Sequence, residues 1–395
     1  MARFYDSPTD MEPMVPDDPD QGLAGLGWEV VRRAERLGAG LHPLTAAGLA
    51  GVVQVMNSYY SHLIEGHDTR PADLEAVLRG RSEGPPARRE LQQLHFAHMA
   101  AQQSMKSRLA ADPAEPIPGE PFLQSLHRNF YEALPATARF VAGPDAKPHP
   151  VVPGEWRRFH VTVGHHLAPA WDMLPEFMAR FAKVYAPWVS DTGPGLVACA
   201  AAHHRLVWIH PWADGNGRVA RLFSQAWLIR ARVDAHGLWS VSRGLARRLT
   251  DYRSHLANAD AKRRNDFDGR GYLSQAALQA FCRFFLETCL DQLDYMNDCL
   301  ATNRLDQRMS GYSAMREASG DWPAGTSRVL REVCLRGEIP RGEVARLIGK
   351  SPRTAQGVIG QLLAAGCLTS PSGKGPLRLG WPGEALQAWL PGLFG

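Results

Sequence analysis

The sequence has few of the features that indicate a membrane or secreted protein. No apolar run reaches the length that spans a bilayer, and the N-terminus lacks a basic segment followed by an apolar one. The six cysteines include no Cys-x-x-Cys pair, and four of them fall in apolar helical segments, where a free thiol behaves as a small hydrophobic group. We therefore expect no signal peptide, no membrane contact and a cytoplasmic location, because a reducing compartment suits unpaired cysteines.

The net charge of the chain is also small for its length. The formal charge is only +4 over 395 residues, which is too little to indicate a nucleic-acid partner by itself. Hydrophobic residues make up 45% of the chain, a fraction typical of a globular protein rather than a disordered one. A chain of this length exceeds one ordinary domain, so we expect two or three.

Residues 210–221, with the sequence His-Pro-Trp-Ala-Asp-Gly-Asn-Gly-Arg-Val-Ala-Arg, concentrate chemically active side chains. A mostly apolar segment precedes them, and a segment rich in Ala, Leu and Arg follows. The pattern predicts a helix, a tight loop and a second helix. Pro211 disfavours continuation of the first helix, because the residue before a proline avoids helical backbone angles. Asp214 stands where it can cap the second helix.

The groups at the start of the second helix suit a polyphosphate. Gly215 and Gly217 allow positive φ and a close approach of a ligand to the backbone. The free N–H groups of a helix N-terminus attract anions. Arg218 and Arg221 are three residues apart, so both project from the same side of the helix and can bind phosphate oxygens.

Two further side chains of the stretch suit the transfer of a phosphate-containing group. Asp214 offers a hard oxygen ligand for the Mg²⁺ that accompanies a polyphosphate. His210 titrates near neutrality and can take a proton from an attacking hydroxyl. The alternative is a His-Pro turn followed by a helix with solvated arginines, which these groups in register make unattractive.

Residues 210–221 resemble the signature loop of the Fic family, His-Pro-Phe-x-Asp-Gly-Asn-Gly-Arg-x-x-Arg, and differ from it only where Trp212 replaces Phe. Members of this family mostly transfer AMP from ATP to a protein hydroxyl and release pyrophosphate. The resemblance implies a protein adenylyltransferase that uses ATP and Mg²⁺ and modifies a Tyr, Thr or Ser hydroxyl of a target protein or of itself. A phosphorylating branch, which resembles the Doc toxins, carries Lys where this chain has Gly217, and that difference favours AMP transfer.

The resemblance also implies a role for each residue of the loop. These roles are base for His210, magnesium ligand for Asp214, backbone donors to phosphate for Gly215 and Gly217, phosphate-holding amide for Asn216, and binding of the distal phosphates for Arg218 and Arg221. In the expected reaction His210 deprotonates the target hydroxyl, and the oxygen of that hydroxyl attacks the α-phosphate in line.

A second motif closes the helical pattern of residues 45–66. Gly66 is a natural C-cap, whereas a carboxylate at Glu65 opposes the helix dipole and needs a cation from elsewhere. The segment Ser61-x-x-x-Glu65-Gly66 resembles the inhibitory motif, Ser/Thr-x-x-x-Glu-Gly/Asn, of Fic proteins with an N-terminal regulatory helix. The resemblance implies that Glu65 pairs with Arg221 and occupies the space that the ATP γ-phosphate needs. For an isolated glutamate, a solvated surface position is the alternative.

Residues 154–164 alternate between polar and apolar side chains, which predicts a short strand or hairpin. Pro153, Gly154 and Arg157 resemble the Pro-Gly-x-x-Arg entry into the β-hairpin flap of the Fic family. In that family the flap pairs with the backbone of the target segment; a hairpin without a partner is the alternative. The flap residues that we expect to meet a target are Arg157, Phe159, His160, Val161, Thr162 and Val163.

The last segment, residues 322–395, has the pattern of a separate winged helix-turn-helix domain. Two short helices meet at Gly349, and Ser351 caps the second, with Pro352 at its first position. Residues 370–379 resemble a wing. The residues that would face a DNA groove are Arg353, Thr354 and Gln356. Two Lys and seven Arg outnumber four Glu in this segment, which permits contact with DNA phosphates without requiring it, and contact with protein is equally open.

We predict a mainly α-helical fold, with a Fic helical core, a β-hairpin flap and a C-terminal winged helix-turn-helix domain. The predicted division is a flexible N-terminal region over 1–44, an N-terminal helical region with the inhibitory helix over 45–118, a Fic catalytic core over 119–305 and a winged-helix domain over 322–395. Two alternatives stay open. One is a de-AMPylase, or another nucleotidyl or phosphoryl transferase, on the same loop. The other is a DNA-binding transcriptional regulator whose Fic core senses nucleotide; a homodimer is also left open.

Overall fold

The fold is mainly helical, as predicted. A computed structural model describes residues 5–69, 74, 76, 77, 80–82, 84–143 and 147–394. The helices are α1 (Gly22–Arg36), α2 (Pro43–Ile64), α3 (Pro86–Ala111), α4 (Glu120–Glu132), α5 (Leu174–Tyr185), α6 (Gly193–Ile209), α7 (Asn216–Arg230), α8 (Val241–Arg247), α9 (Leu249–Ala259), α10 (Gln275–Leu300), α11 (Thr302–Ala318), α12 (Thr326–Arg336), α13 (Glu343–Ile348), α14 (Pro352–Ala364) and α15 (Gly383–Trp389).

Short strands accompany the helices and form small antiparallel sheets. They are β1 (Phe140–Ala142), β2 (Pro148–Pro150), β3 (Thr162–Val163), β4 (His166–Leu167), β5 (Glu338–Ile339), β6 (Leu368–Thr369) and β7 (Leu377–Leu379). Strand β1 pairs with β2 and β3 pairs with β4, while β7 lies between β5 and β6. The first two pairs belong to the part of the chain before the signature loop, and the third sheet belongs to the C-terminal segment.

Helix α6 lies at the centre of the core, and the signature loop begins at its carboxyl end. Its residues are almost all buried, because the apolar side chains of α1, α5, α7 and α10 pack around it. Gly27 of α1 lies so close to Gly193 of α6 that an added Cβ would overlap the Gly193 carbonyl group. This tight packing fixes the position of the loop relative to the core.

The N-terminal segment packs against this core. Met11 and Met14 are buried, with 0% and 2% of their surface exposed. Arg205 of α6 donates two hydrogen bonds to the Pro13 carbonyl oxygen, from Nε at 3.2 Å and from Nη2 at 2.8 Å. The prediction of a flexible region over residues 1–44 is therefore wrong for the part of it that the structure describes. The acidic, proline-bearing composition predicted flexibility, but the burial of two methionines in the segment stabilises it on the core.

Helix α2 runs from the C-terminal segment to the signature loop. Residues 322–394, which we call the C-terminal unit, contact this helix from Thr45 in its first turn to Tyr59 in its carboxyl-terminal half. Thr45 Oγ1 donates a buried hydrogen bond of 2.8 Å to the Cys334 carbonyl oxygen, and the ring of Tyr59 lies 6.0 Å from that of Phe394. The carboxyl end of α2 leaves this unit and reaches the first turn of α7, where Glu65 meets Arg221.

The C-terminal unit combines helices α12 to α15 with the sheet of β5, β7 and β6. Helices α13 and α14 are joined by a turn in which Gly349 takes a left-handed φ of 65°, a conformation that suits glycine. Ser351 caps α14, and its Oγ accepts a hydrogen bond of 3.3 Å from the Thr354 amide. Both helices lie where the sequence pattern predicts them. Helix α11, which precedes the unit, was not predicted.

All six cysteines are buried and unpaired, as their spacing predicts. Within the described ranges, no helix has both the length and the apolar character that crossing a bilayer requires.

Candidate active site

Residues 210–215 connect α6 to α7, so the predicted helix, loop and helix are confirmed. His210 leaves α6 with a left-handed backbone, φ 51° and ψ 59°. Gly215 immediately precedes α7 with φ 83°. A Cβ at Gly215 would lie 2.8 Å from the ring of Tyr131. Both the backbone conformation and the available space therefore require glycine at this position.

Trp212 and Asn216 close the loop. Trp212 is fully buried, and its ring stacks on His127 with 5.1 Å between the centroids and 6° between the planes. The Trp212 amide donates to Asn216 Oδ1 at 3.0 Å, and Asn216 Nδ2 donates to the Trp212 carbonyl oxygen at 2.9 Å. The side chain of Asn216 thus clamps the loop backbone, a task that the sequence did not predict. Its contact with phosphate stays a prediction.

His210 is held in the tautomer that a general base needs. Its Nδ1 lies 3.3 Å from the Val207 carbonyl oxygen. A carbonyl oxygen only accepts hydrogen bonds, so Nδ1 carries the proton and the neutral ring keeps a lone pair on Nε2. Burial and the nearby charge of the Arg157 guanidinium together lower the pKa of His210 to about 4. The ring is consequently neutral near pH 7 and ready to accept a proton.

Arg157 fixes the position of His210. Its guanidinium donates to the carbonyl oxygens of His210, Phe159 and Pro169 at 2.8, 2.8 and 2.7 Å. The Arg157 amide donates to the Pro211 carbonyl oxygen at 2.9 Å. The residue is only 3% exposed. The prediction that Arg157 faces a target is therefore wrong, because burial commits its side chain to the backbone around His210.

The Asp214 carboxylate accepts hydrogen bonds from two neighbouring side chains. Its Oδ2 accepts a hydrogen bond of 2.6 Å from the Tyr131 hydroxyl and one of 2.8 Å from Arg218 Nη2. Burial acts to raise the pKa of Asp214, but the Arg218 charge and the Tyr131 hydrogen bond outweigh it, and the pKa is lowered. Gly215 is the N-cap of α7, and no side chain caps the helix. The prediction that Asp214 caps this helix is thus wrong.

His127 joins the loop to the segment that precedes Arg157. Its Nδ1 accepts a hydrogen bond of 2.8 Å from the Gly154 amide, so its Nε2 carries the proton and donates to the Asp214 carbonyl oxygen at 3.2 Å. Burial lowers the pKa of His127 to about 3 and keeps the ring neutral. His127 and Tyr131 were not predicted as site residues, because α4 carries no motif and lies far from the loop along the chain.

Arg221, Ser61 and Glu65 meet as the second motif predicts. Arg221 Nε donates to Ser61 Oγ at 2.9 Å, and its Nη2 donates to the Ser61 carbonyl oxygen at 2.9 Å and to Glu65 Oε1 at 2.6 Å. Only 2% of the Arg221 side chain is exposed, against 32% for Glu65. Burial acts to raise the pKa of Glu65, but the Arg221 charge and hydrogen bond outweigh it and lower the pKa. Glu65 is therefore ionised at neutral pH.

The end of α2 places Glu65 beside the start of α7. Gly66 has φ 88°, its amide donates to the Leu63 carbonyl oxygen, and the His67 amide donates to that of His62, both at 3.0 Å. These two bonds form a Schellman motif and confirm Gly66 as the residue that ends the helix. A Cβ at Gly217 would lie 2.5 Å from Glu65 Oε1. The Glu65 carboxylate therefore fills the space above the first turn of α7.

Arg253 of α9 also holds the end of α2 in place. Its Nη2 donates a hydrogen bond of 2.9 Å to the Ile64 carbonyl oxygen, one of the carbonyl groups that a helix end leaves without an intrahelical partner. The positive charge of Arg253 also suits the negative end of the helix dipole. No sequence motif pointed to this residue.

The flap hairpin is shorter than the sequence predicts. Strand β3 pairs with β4 through Thr162 with Leu167 and Val163 with His166, and a bond of 3.3 Å from the Ala168 amide to the Val161 carbonyl oxygen extends the pair. Phe159 and His160 precede the strand. The extended prediction from residue 154 is wrong, because the backbone there is tied to His127 and to the loop.

A cleft of about 880 Å³ opens beside this hairpin. One wall is the β3–β4 hairpin. The opposite wall includes the side chains of Tyr5, Asp6, Asp10, Asp260, Lys262 and Tyr272. The hairpin is anchored next to the site, because His166 Nε2 lies 2.7 Å from the Trp208 carbonyl oxygen near the end of α6. Strand β3 has β4 as its one partner among the described strands, which leaves its other edge open for pairing.

The site offers one carboxylate to a metal ion. Across the described part of the chain, no three or more His, Cys, Asp or Glu side chains gather in a way that could hold a metal. The hydrogen bonds that Asp214 accepts from Tyr131 and Arg218 both reach Oδ2, and 45% of the side chain is exposed. A single carboxylate fits Mg²⁺, because this ion commonly takes its other ligands from substrate phosphates and water.

Comparison with known proteins shows which protein family this part of the chain resembles. Residues 119–228 match the model of the Fic/DOC family. Over 87 residues, 21% of this chain and 19% of the relative, the chain is 37% identical to the protein adenylyltransferase Fic of Nematostella vectensis. Over 82 residues, 21% of this chain and 17% of the relative, it is 42% identical to the protein of the same name from Drosophila melanogaster. The chain thus spans less than a fifth of the length of these curated relatives.

The fold agrees with this class. The crystal structure of a Fic family protein from Desulfovibrio desulfuricans G20 superposes with a TM-score of 0.52 and 20% sequence identity, covering 93% of this chain and 98% of that one. At this identity the likeness concerns the fold. The residues that match the family model, 119–228, include the signature loop, His127, Tyr131 and Arg157. The protein carries a Fic/DOC domain over residues 119–228.

Proposed function

We propose that this protein transfers AMP from ATP to a hydroxyl group of a target protein and that Glu65 holds it in a slow resting state. The observation that carries the proposal is the neutral His210 ring, whose Nε2 keeps a lone pair, in the loop that leads into the start of α7, where no side chain caps the helix. A base, an anion site and two arginines then lie within one loop and the first two turns of the helix that follows it. The names of the relatives, protein adenylyltransferase Fic, agree with this reaction.

The reaction follows from these groups. The target hydroxyl gives its proton to Nε2 of His210, and its oxygen forms a bond to the α-phosphorus of ATP. The bond from the α-phosphorus to the bridging oxygen breaks, and pyrophosphate leaves with the electron pair. The α7 N–H groups and the arginines stabilise the negative charge of the phosphates. Asp214 would hold Mg²⁺, which when bound supplies charge neutralisation to the departing pyrophosphate.

The resting arrangement opposes this reaction. Arg221 is occupied by Ser61 and Glu65, and Arg218 is occupied by Asp214. A γ-phosphate beside Gly217 would compete with the Glu65 carboxylate for the same space and for the same guanidinium. Like charges in this space repel, so ATP binds productively only when Glu65 leaves Arg221.

The hairpin provides a place for the target. We propose that an extended segment of the target pairs with the open edge of β3, whose residues Thr162 and Val163 are exposed. Pairing of this kind recognises backbone N–H and C=O groups. The hydroxyl to be modified would then face His210 across the hairpin anchor at His166. The preceding residue, Val161, already uses its carbonyl oxygen to accept a hydrogen bond within the hairpin.

Label transfer from two forms of ATP tests the proposed reaction. The protein is incubated with a cell extract and with ATP labelled at either the α- or the γ-phosphate. Transfer of AMP predicts protein labelling from the α position alone. Labelling from the γ position would indicate phosphate transfer, and loss of label from a target that already carries AMP would indicate the reverse reaction. Either of these results would overturn the proposal.

Removal of the Arg157 side chain should weaken catalysis and change its pH dependence. We expect Arg157→Ala to lower kcat about 10- to 100-fold, because His210 loses its backbone anchor and small misplacements of a catalytic group are costly. The His210 ring works as a base above its pKa and fails below it. Loss of the guanidinium raises that pKa, so the acid limb of the kcat/KM profile should move to higher pH.

The control for this change is Arg158→Ala. Its side chain is 80% exposed and pairs with the surface residue Glu155. We expect the control to keep both the rate and the profile. An Arg157→Ala protein with a reduced rate but an unmoved acid limb would show that Arg157 supports the fold without acting on His210.

A further inference from the structure

Helix α14 of the C-terminal unit presents a polar face to solvent. The exposed residues of this face are Arg353, Thr354, Gln356, Gly357, Gly360 and Gln361. Added Cβ atoms at Gly357 and Gly360 would meet no other atom within 4 Å. The opposite side of the helix, which includes Val358, Ile359 and Leu362, is buried in the unit. The outer face is therefore free for contact along the whole helix.

The charge around this face has one sign. Residues 344–383 contain no Asp or Glu and hold three Arg and two Lys. Arg378 pairs with Glu338 at 2.9 Å, whereas the exposed side chains of Lys350, Arg353 and Lys374 have no ion pair within the described ranges. Lys350 and Arg353 flank the start of α14, and Lys374 lies in the segment between β6 and β7. This excess of positive charge in the C-terminal unit attracts a polyanion.

We propose that the C-terminal unit binds double-stranded DNA, with α14 in the major groove and the segment between β6 and β7 against the adjacent phosphates. A B-form major groove admits an α-helix. Arg353 and Gln356 have donor groups that can reach base edges, and Lys350 and Lys374 are placed for the phosphates. The exposed glycines let the helix backbone approach the groove closely. The proposal goes beyond AMP transfer and does not depend on it.

The composition of the face favours DNA over a protein partner. Protein interfaces are usually anchored by buried aromatic or large aliphatic side chains. Apart from Pro352 and Ala364 at its two ends, the exposed positions of α14 carry polar residues and glycine. A surface without such anchors gains little from apolar burial, whereas its unpaired positive charges gain from the release of counterions on contact with DNA.

Binding can be tested on the full chain by fluorescence anisotropy with a labelled duplex of mixed sequence. The same sequence as an RNA duplex gives a matched polyanion, because the narrow major groove of A-form RNA excludes an α-helix. We expect the DNA duplex to bind at least about tenfold more tightly than the RNA duplex. Two phosphate contacts, from Lys350 and Lys374, predict that log K falls with log salt concentration with a slope of about −1.8. Equal binding of both duplexes would overturn groove insertion.

Variants separate the proposed face from general charge. Lys374→Ala should reduce the salt slope by about 1, because one phosphate contact is lost. Arg353→Glu should weaken DNA binding more than tenfold. Arg328→Ala removes an exposed arginine from α12 of the same unit and should leave binding unchanged. Similar losses for Arg328→Ala and Lys374→Ala, or absence of binding by the parent protein at low salt, would refute the proposal. Circular dichroism checks that each variant is folded.

Discussion

Replacement of Glu65 by glycine is expected to raise the rate of AMP transfer about 10- to 100-fold. The Glu65 carboxylate makes a charge-assisted hydrogen bond of 2.6 Å to Arg221 and fills the space over Gly217. Such a bond contributes about 1.5–3 kcal/mol, and each 1.4 kcal/mol corresponds to about a factor of ten. Glycine at this position frees Arg221 for phosphate. It also disturbs the fold little, because residue 65 lies just beyond the last residue of α2.

Initial rates of labelling from α-labelled ATP measure this effect. Glu132→Gly is the matched control, since Glu132 is an exposed glutamate at the last residue of α4. Glu65→Gln keeps the shape of the side chain and loses its charge, so its rate should fall between those of the parent and Glu65→Gly. A Glu65→Gly protein that is no faster than the parent would refute the inhibitory role, even if AMP transfer itself is observed.

Replacement of His210 by asparagine is expected to lower the transfer rate about 10²- to 10⁴-fold, the contribution typical of a general base. Asparagine tolerates the left-handed backbone that His210 adopts at φ 51°. The change therefore removes the base without forcing the loop into another conformation. ATP binding should persist, because the start of α7 and its arginines are untouched.

His236→Asn is the matched control for this change. His236 is an exposed histidine that also has a left-handed backbone, with φ 58°. It should retain the parent rate. Single-turnover labelling and nucleotide affinity are measured for both variants. If His210→Asn retained most of the activity in the Glu65→Gly background, His210 could not be the base, and another group would have to accept the proton.

The sequence predicted those parts of the site whose chemistry is local. Residues 210–221 are continuous, so their order alone predicted the turn and the two helices around it. The contact between Glu65 and Arg221 joins distant segments, yet each segment carried its own motif and the resemblance linked them. The geometry agrees with that link, with 2.6 Å between the two charged groups.

Other parts depend on contacts that no local pattern encodes. Tyr131 and His127 meet the loop only because α4 packs beside α7, and their types are ordinary on a buried helix face. The flap motif predicted that Arg157 meets a target, but the surroundings of this residue bury it. The alternation after residue 154 predicted a strand that the bonds to the loop prevent. The segment before α1 has the composition of a flexible chain, yet two buried methionines hold it on the core.

Helix α2 connects the C-terminal unit to the candidate active site, so the binding of ligands at these two places is energetically coupled in both directions. Its first turn is bonded to the C-terminal unit through Thr45, and the residue that follows its last turn, Glu65, occupies Arg221. If a ligand of the C-terminal unit favours the departure of Glu65 and so strengthens ATP binding by some free energy, ATP must strengthen the binding of that ligand by the same free energy. A titration of either ligand in the presence of the other would therefore give the same coupling constant from both directions.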